Sequence, residues 1–152
     1  MGGYAGGNFG GDGGGGCGSG DWQEVSYNGG SMDAGKRILI VEDEVVQARA
    51  LEIKLKRSGY ETEIVLDGEE ASGILGKEKF DLVLLDLVLP KKDGFAVMEE
   101  MRARGDHTPI VVISNLGQKE DIDRAKAMDA KYYFVKADST LSGIADYIDS
   151  IV

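Results

Sequence analysis

The sequence predicts an α/β protein built as a doubly wound parallel sheet with helices on both faces. Three observations carry that expectation. Apolar runs of strand length alternate strictly with stretches of helical periodicity, five times over, between Lys36 and Val152. The strands are too continuously apolar for a sheet with one face in water, so both faces must be covered. The connections are long enough to be crossover helices, which parallel neighbours require. In such sheets ligands bind outside the carboxyl ends of the strands. Three of the runs end there on charge: ILIVEDE on Glu42, Asp43 and Glu44, DLVLLD on Asp86, and YYFVKAD on Lys136. An unpaired buried charge is costly, so strands delivering acid, acid and lysine to one edge mark a site.

The first strand is RILIV, residues 37–41. A helix over 44–58 follows, with Val45, Ala48, Leu51 and Leu55 at helical spacing, Val46 and Ile53 between them, and Gly59 ending it. Residues 60–66 alternate as an edge strand does. Asp67 and Gly68 turn into a short helix, EEASGILGKE, weakened by Gly73 and Gly76. The third strand is FDLVLLD, Pro90 stops its apolar continuation, and Gly94 closes a loop before a helix over 95–104. TPIVVIS, 108–114, is a fourth buried strand, with Pro109 tolerable at its start. QKEDIDRAKAMDA is a helix with Ile122, Ala125 and Met128 on one side. KYYFVKA is a short fifth strand. The last helix, STLSGIADYIDSIV, turns Leu141, Ile144, Ile148 and Ile151 inward, with Ser139 as its cap.

Composition narrows the function classes. The chain has 152 residues and a formal net charge of -10. No Lys/Arg cluster of nucleic-acid type occurs, which argues against direct DNA or RNA binding. No apolar run approaches the roughly 20 residues that span a bilayer, so membrane insertion is not expected. No basic-then-apolar N-terminus marks a secretory signal. Residues 1–35 are expected to be a disordered glycine-rich leader or linker, engineered or native, and residues 36–152 the folded domain. The single Cys17 lies in that glycine tract and cannot form an internal disulfide, so a cytoplasmic location is expected.

Taken alone, Asp86 reads as a turn cap and Lys136 as a solvated lysine. Together with Glu42 and Asp43 they read otherwise. Carboxylates crowded at neighbouring strand ends repel unless a cation joins them. An all-oxygen set, with no His or Cys nearby in sequence, points to Mg²⁺, and the backbone carbonyl of Val88 would complete it. Lys136 can pair with Asp86 at rest and with a phosphoryl oxygen when one is present. Ser114 offers a hydroxyl to the same group. No GxxxxGK phosphate loop occurs, so a P-loop nucleotide site is not supported.

The pieces ILIVEDE, LVLLDLVLPKKDG, PIVVISN and YYFVKAD together resemble the receiver domain of bacterial two-component response regulators, of the stand-alone, chemotaxis-regulator-like kind. The resemblance spans essentially the whole folded part. It implies a flavodoxin-like strand order, 2-1-3-4-5. It also implies that Asp86 takes a phosphoryl group from a histidine kinase or histidine phosphotransfer protein. Asp43 would then be a direct Mg²⁺ ligand and Glu42 a ligand through water. Ser114 and Tyr133 would be switch residues, with output to a protein target or a homodimer through the strand 4–helix 4–strand 5 face, around 115–128 and 132–136. Val88, Asn115 and Leu116 would tune the phosphate lifetime, and two apolar neighbours favour slow self-hydrolysis. The first helix, around Val45, Ala48 and Arg49, would face the kinase.

Three positions depart from the family pattern. Asn115 and Ala137 stand where a small alanine and a cis-proline are usual, so the Lys136–Ala137 bond is expected to be trans. A glycine usual near Lys131 is missing, implying a strained residue or a changed turn. A non-phosphorylated binding module and a small Mg²⁺-dependent phosphatase are the rival readings. The lack of a second acid two residues after Asp86 argues against the phosphatase. His107, in a polar loop at the far end of the sheet, is expected to be solvated.

Overall fold

Each predicted strand is apolar at consecutive positions, and side chains alternate across a strand, so the fold must supply an apolar layer on both sides. The computed structural model, which describes residues 35–152, supplies two. Its strands are β1 (Arg37–Val41), β2 (Glu61–Val65), β3 (Leu82–Leu85), β4 (Ile110–Ser114) and β5 (Tyr132–Val135). The helices are α1 (Val45–Arg57), α2 (Gly68–Leu75), α3 (Gly94–Ala103), α4 (Lys119–Ala127) and α5 (Leu141–Ile151). All pairings are parallel and the order is β2-β1-β3-β4-β5, as expected. The leader and Cys17 lie outside the described residues.

One core layer holds Leu39, Val83, Leu85 and Val112 against residues of α2 and α3 such as Leu75, Val97 and Met101. The other holds Ile38, Ile40, Leu84 and Val111 against Leu51 and Leu55 of α1 and Ile144 and Ile148 of α5. The edge strand β2 pairs only with β1 and alternates exposed Glu61 and Glu63 with half-buried Thr62 and Ile64. His107 is exposed in the loop before β4.

Helix ends follow local chemistry. Gly59 adopts φ 96° after α1, while Gly59 N–H donates to Lys56 O and Tyr60 N–H to Leu55 O, the paired bonds that close a helix at a left-handed residue. Asp67 caps α2 and Asp93 caps α3, each accepting a backbone N–H three residues on. For α5 the cap is Thr140, which accepts from Gly143 N–H, and not Ser139; the Ser139 hydroxyl donates back to Val135 O. Leu141 and Ile151 are partly solvent-exposed, leaving Ile144, Ala145 and Ile148 as the packed stripe of α5. Val45, Val46 and Ile53 are also exposed, leaving Ala48, Leu51 and Leu55 as the packed stripe of α1. β3 ends at Leu85, one residue before Asp86 and well before Pro90.

The missing glycine near Lys131 has a located consequence. Asp129, just past α4, takes φ 67°, a left-handed conformation that Asp tolerates better than most residues. Arg102 of α3 holds this turn. Its guanidinium donates to the carbonyls of Met128 and Asp129 on one side and of Asp106 and Thr108 on the other. The Lys136–Ala137 bond is trans, and Lys136–Asp138 form a single 3₁₀ turn.

Two glycines give opposite expectations. A Cβ on Gly94 would lie 2.5 Å from Asp86 O and 2.7 Å from Leu87 Cα, whereas one on Gly73, inside α2, meets nothing within 4 Å. Gly94→Ala should therefore destabilise by about 1–3 kcal/mol or more. Gly73→Ala should stabilise by about 0.5–1 kcal/mol. Urea unfolding midpoints of the two variants check both signs.

Candidate functional site

Strand register assembles the site. Val41 of β1 lies opposite Leu85 of β3, so the next residues, Glu42 and Asp86, emerge side by side; Asp86 N–H donates to Val41 O at 3.0 Å. Ser114 lies opposite Val135, which puts Lys136 just past the end of β4. The lysine then reaches across β4 and β3 to the acids. Its Nζ lies 2.8 Å from Glu42 Oε1, 3.0 Å from Asp86 Oδ2 and 3.8 Å from Glu44 Oε1.

Burial makes these contacts matter. Glu42 is 2% exposed and Asp86 5%, and the Lys136 side chain 9%. Both Asp86 oxygens are held, Oδ2 by Lys136 and Oδ1 by Val88 N–H at 3.2 Å. Glu42 is held twice as well, by Lys136 and by Glu44 N–H on Oε2 at 3.1 Å. Burial pushes the Glu42 carboxyl above its ordinary range, against the pull of Lys136 and the Glu44 amide. For Lys136 burial acts downward, but the hydrogen bonds it donates to Glu42 and Asp86, with the attraction of their charges, outweigh it and raise the ammonium above its usual value.

Glu42, Asp43 and Asp86 each place a carboxylate oxygen so that all three lie within 4.8 Å of one another. Hard oxygen donors at this spacing fit a small divalent cation, and the charge balance asks for one: three carboxylates face a single ammonium. Asp43, exposed at the strand end, is the most open of the three.

The remaining predicted residues sit around this centre. Ser114 is fully buried and its Oγ accepts from Leu116 N–H at 3.2 Å. Tyr133 is half-buried, packs on the core beside Leu116, and its hydroxyl donates to Leu116 O at 2.5 Å. Burial pushes the Tyr133 phenol up. Both expected switch side chains thus bond to one residue, Leu116. Val88 and Asn115 are exposed. Ala48, expected to face a partner, is wholly buried; Val45, Val46 and Arg49 form the open side of α1 instead. Sequence reasoning gave Glu44 no role, although EDE displays the third acid plainly.

A parallel α/β sheet whose carboxyl edge carries a metal-fitting acid triad, a buried lysine and a buried hydroxyl defines a metal-assisted phosphoacceptor domain. The family profile for the response regulator receiver domain matches residues 38–144, and the chain belongs to that family. Over 101 residues it is 41% identical to "Probable transcriptional regulator ycf27" of Cyanophora paradoxa, covering 66% of this chain and 42% of that protein. Over 114 residues it is 33% identical to "Regulator of RpoS" of Escherichia coli (strain K12), covering 75% and 34%. The chain thus spans less than half the length of these curated relatives. Among solved structures, the Mn(2+)-bound form of response regulator Rcp1 superposes with a TM-score of 0.69 at 30% identity, over 76% of this chain and 93% of that one. The Francisella response regulator 1452 receiver domain gives 0.72 at 20% identity, over 76% and 94%, a likeness of fold. The Glu42–Asp43–Asp86 cluster is a receiver-domain phosphoacceptor site, with the acidic Mg²⁺-binding set typical of domains that undergo Mg²⁺-assisted autophosphorylation rather than substrate turnover.

Removing the lysine should expose how much it supports. Lys136→Met leaves Glu42 and Asp86 buried without a cation and should cost about 1–3 kcal/mol or more. Added Mg²⁺ should recover part of that loss. Thermal denaturation with and without Mg²⁺ measures both.

Proposed function

We propose that Asp86 accepts a phosphoryl group from a phosphohistidine, on a histidine kinase or a histidine phosphotransfer protein, and that the domain signals by the resulting change of shape. The observation that carries this reading is the seat of Asp86: a nearly buried carboxylate, held by Lys136 and one backbone amide, beside two further acids. Residues 36–152 act as the receiver unit and residues 1–35 as a leader or linker. The reaction belongs to the cytoplasm, where such donors are found.

Asp86 attacks phosphorus in line, forming a P–O bond as the P–N bond breaks. The electron pair returns to the imidazole, which takes up a proton. Asp43 and Asp86, with the Val88 carbonyl, would hold Mg²⁺ directly, and Glu42 through water. The cation supplies charge neutralisation on the phosphoryl oxygens. Lys136 gives up Asp86 Oδ2 for a phosphoryl oxygen and stays anchored on Glu42. Water later attacks phosphorus, releasing phosphate and restoring the carboxylate.

Signalling runs through Leu116. The phosphoryl group adds a charge of about −1.5 to −2, drawing the Ser114 hydroxyl toward it. Leu116 N–H follows Ser114, and Leu116 O carries Tyr133 with it. The face formed by β4, α4 and β5 shifts population and meets a target protein or a second copy. A beryllofluoride complex with both side chains unmoved would refute this route.

Incubation with Mg²⁺ and acetyl phosphate should add the mass of one phosphoryl group, and Asp86→Asn should abolish the gain. No gain in the parent protein favours a binding module that never takes phosphate. With half-buried Leu116 and apolar Val88 flanking the acid, hydrolysis should be slow, and an acyl-phosphate lifetime of only seconds would contradict this.

A further inference from the structure

Lys136 faces three acids, and they differ in exposure. Glu42 and Asp86 are buried; Glu44 is 60% exposed by side chain. Glu44 precedes α1 and makes no side-chain capping bond, so its carboxylate is not spent on the helix. Its backbone is pinned, because Glu44 N–H donates to Glu42 Oε2. Among the described residues its one ion pair is the long contact to Lys136. A carboxylate tied at its base and open at its tip therefore stands at the mouth of the site. Counting Glu42, Asp43, Glu44 and Asp86 against Lys136 and a divalent cation, one negative charge remains in excess.

We propose that Glu44 is a specificity-determining residue that selects phosphodonors by charge, disfavouring small donors that arrive as free dianions. The inference rests on the reading of Asp86 as phosphoacceptor. Two physical effects act together. The exposed carboxylate repels an approaching anion in proportion to the anion's charge. It also competes for the Lys136 ammonium, which must swing to the incoming phosphoryl oxygens. The competition for Lys136 slows every donor alike, whereas the repulsion scales with the donor's charge and spares one whose own protein surface brings compensating cations.

Two small donors separate this from a general effect. With acetyl phosphate, a dianion near neutral pH, Asp86 forms the P–O bond and acetate leaves with the electron pair of the broken P–O bond. With phosphoramidate, a monoanion carrying its proton on nitrogen, the P–N bond breaks and ammonia leaves. Glu44→Gln should raise the rate with acetyl phosphate about three- to tenfold, and that with phosphoramidate by clearly less. The donor ratio is thus the readout. Glu44→Asp should keep the parent ratio, and salt near 0.5 M should remove most of the difference, since the Debye length then falls to a few ångströms. Glu61→Gln, at the opposite end of the sheet beside Arg37, tests net charge alone and should leave the ratio unchanged. Mg²⁺ affinity, read separately from the thermal shift, should weaken about two- to threefold in Glu44→Gln.

An unchanged donor ratio in Glu44→Gln, or an equal change in Glu61→Gln, overturns the role of Glu44 while leaving Asp86 as acceptor. No phosphoryl uptake from either donor by the parent protein overturns the acceptor reading and this inference with it.

Discussion

Everything at the carboxyl edge of this sheet depends on one ammonium group. Lys136 is the cation that makes burial of Glu42 and Asp86 affordable, and it comes from the far side of the sheet, across β4. An ion pair this buried is weak evidence of net stabilisation, because desolvation cancels much of the attraction. Its value lies elsewhere. The lysine places a positive charge between two buried carboxylates and pulls against the upward push that burial gives Glu42. Glu42 has a second bond, to the Glu44 amide, so its carboxylate is not held by the lysine alone.

A second set of contacts links the site to the face formed by β4, α4 and β5. Leu116 offers its N–H to Ser114 and its carbonyl to Tyr133, so a single peptide segment joins a buried hydroxyl at the site to an aromatic ring two elements away. Asp129 and Arg102 sit at the other end of α4. Four carbonyl bonds from one guanidinium fix the turn after the helix, while Gln118 before it makes no side-chain capping bond.

Much of this was legible in the sequence, for definite reasons. Period and length identified all five strands, four by a continuous apolar run and β2 by its alternation, and the charged ends of three strands located the site. Parallel register did the rest, since it fixes which strand ends are neighbours. The errors are of another kind. Ser139 and Thr140 are adjacent hydroxyls, and only backbone geometry decides which one caps α5. Val45, Val46 and Ile53 look like packing residues, but only Ala48, Leu51 and Leu55 of α1 are buried, and the other three lie in water. Arg102 left no trace at all, because its partners are carbonyls, and every residue has one. Ala48 belongs by spacing both to the apolar stripe of α1 and to the expected kinase-facing set, and its burial keeps only the first.

The acidic rim of β2 has a consequence for how copies of this domain meet. An edge strand presents unpaired backbone groups that can template a strand from another molecule. Here two β2 edges brought together would set Glu61 and Glu63 against their own counterparts, and like charges across a strand pair repel. That side of the sheet is closed to continuous cross-strand growth. The opposite edge, β5, carries exposed Tyr132, edge-on to Phe134 and tilted against Tyr147, with no pair of acids like that of β2. The two edges of the sheet therefore differ in kind: one is guarded by like charge and the other is aromatic.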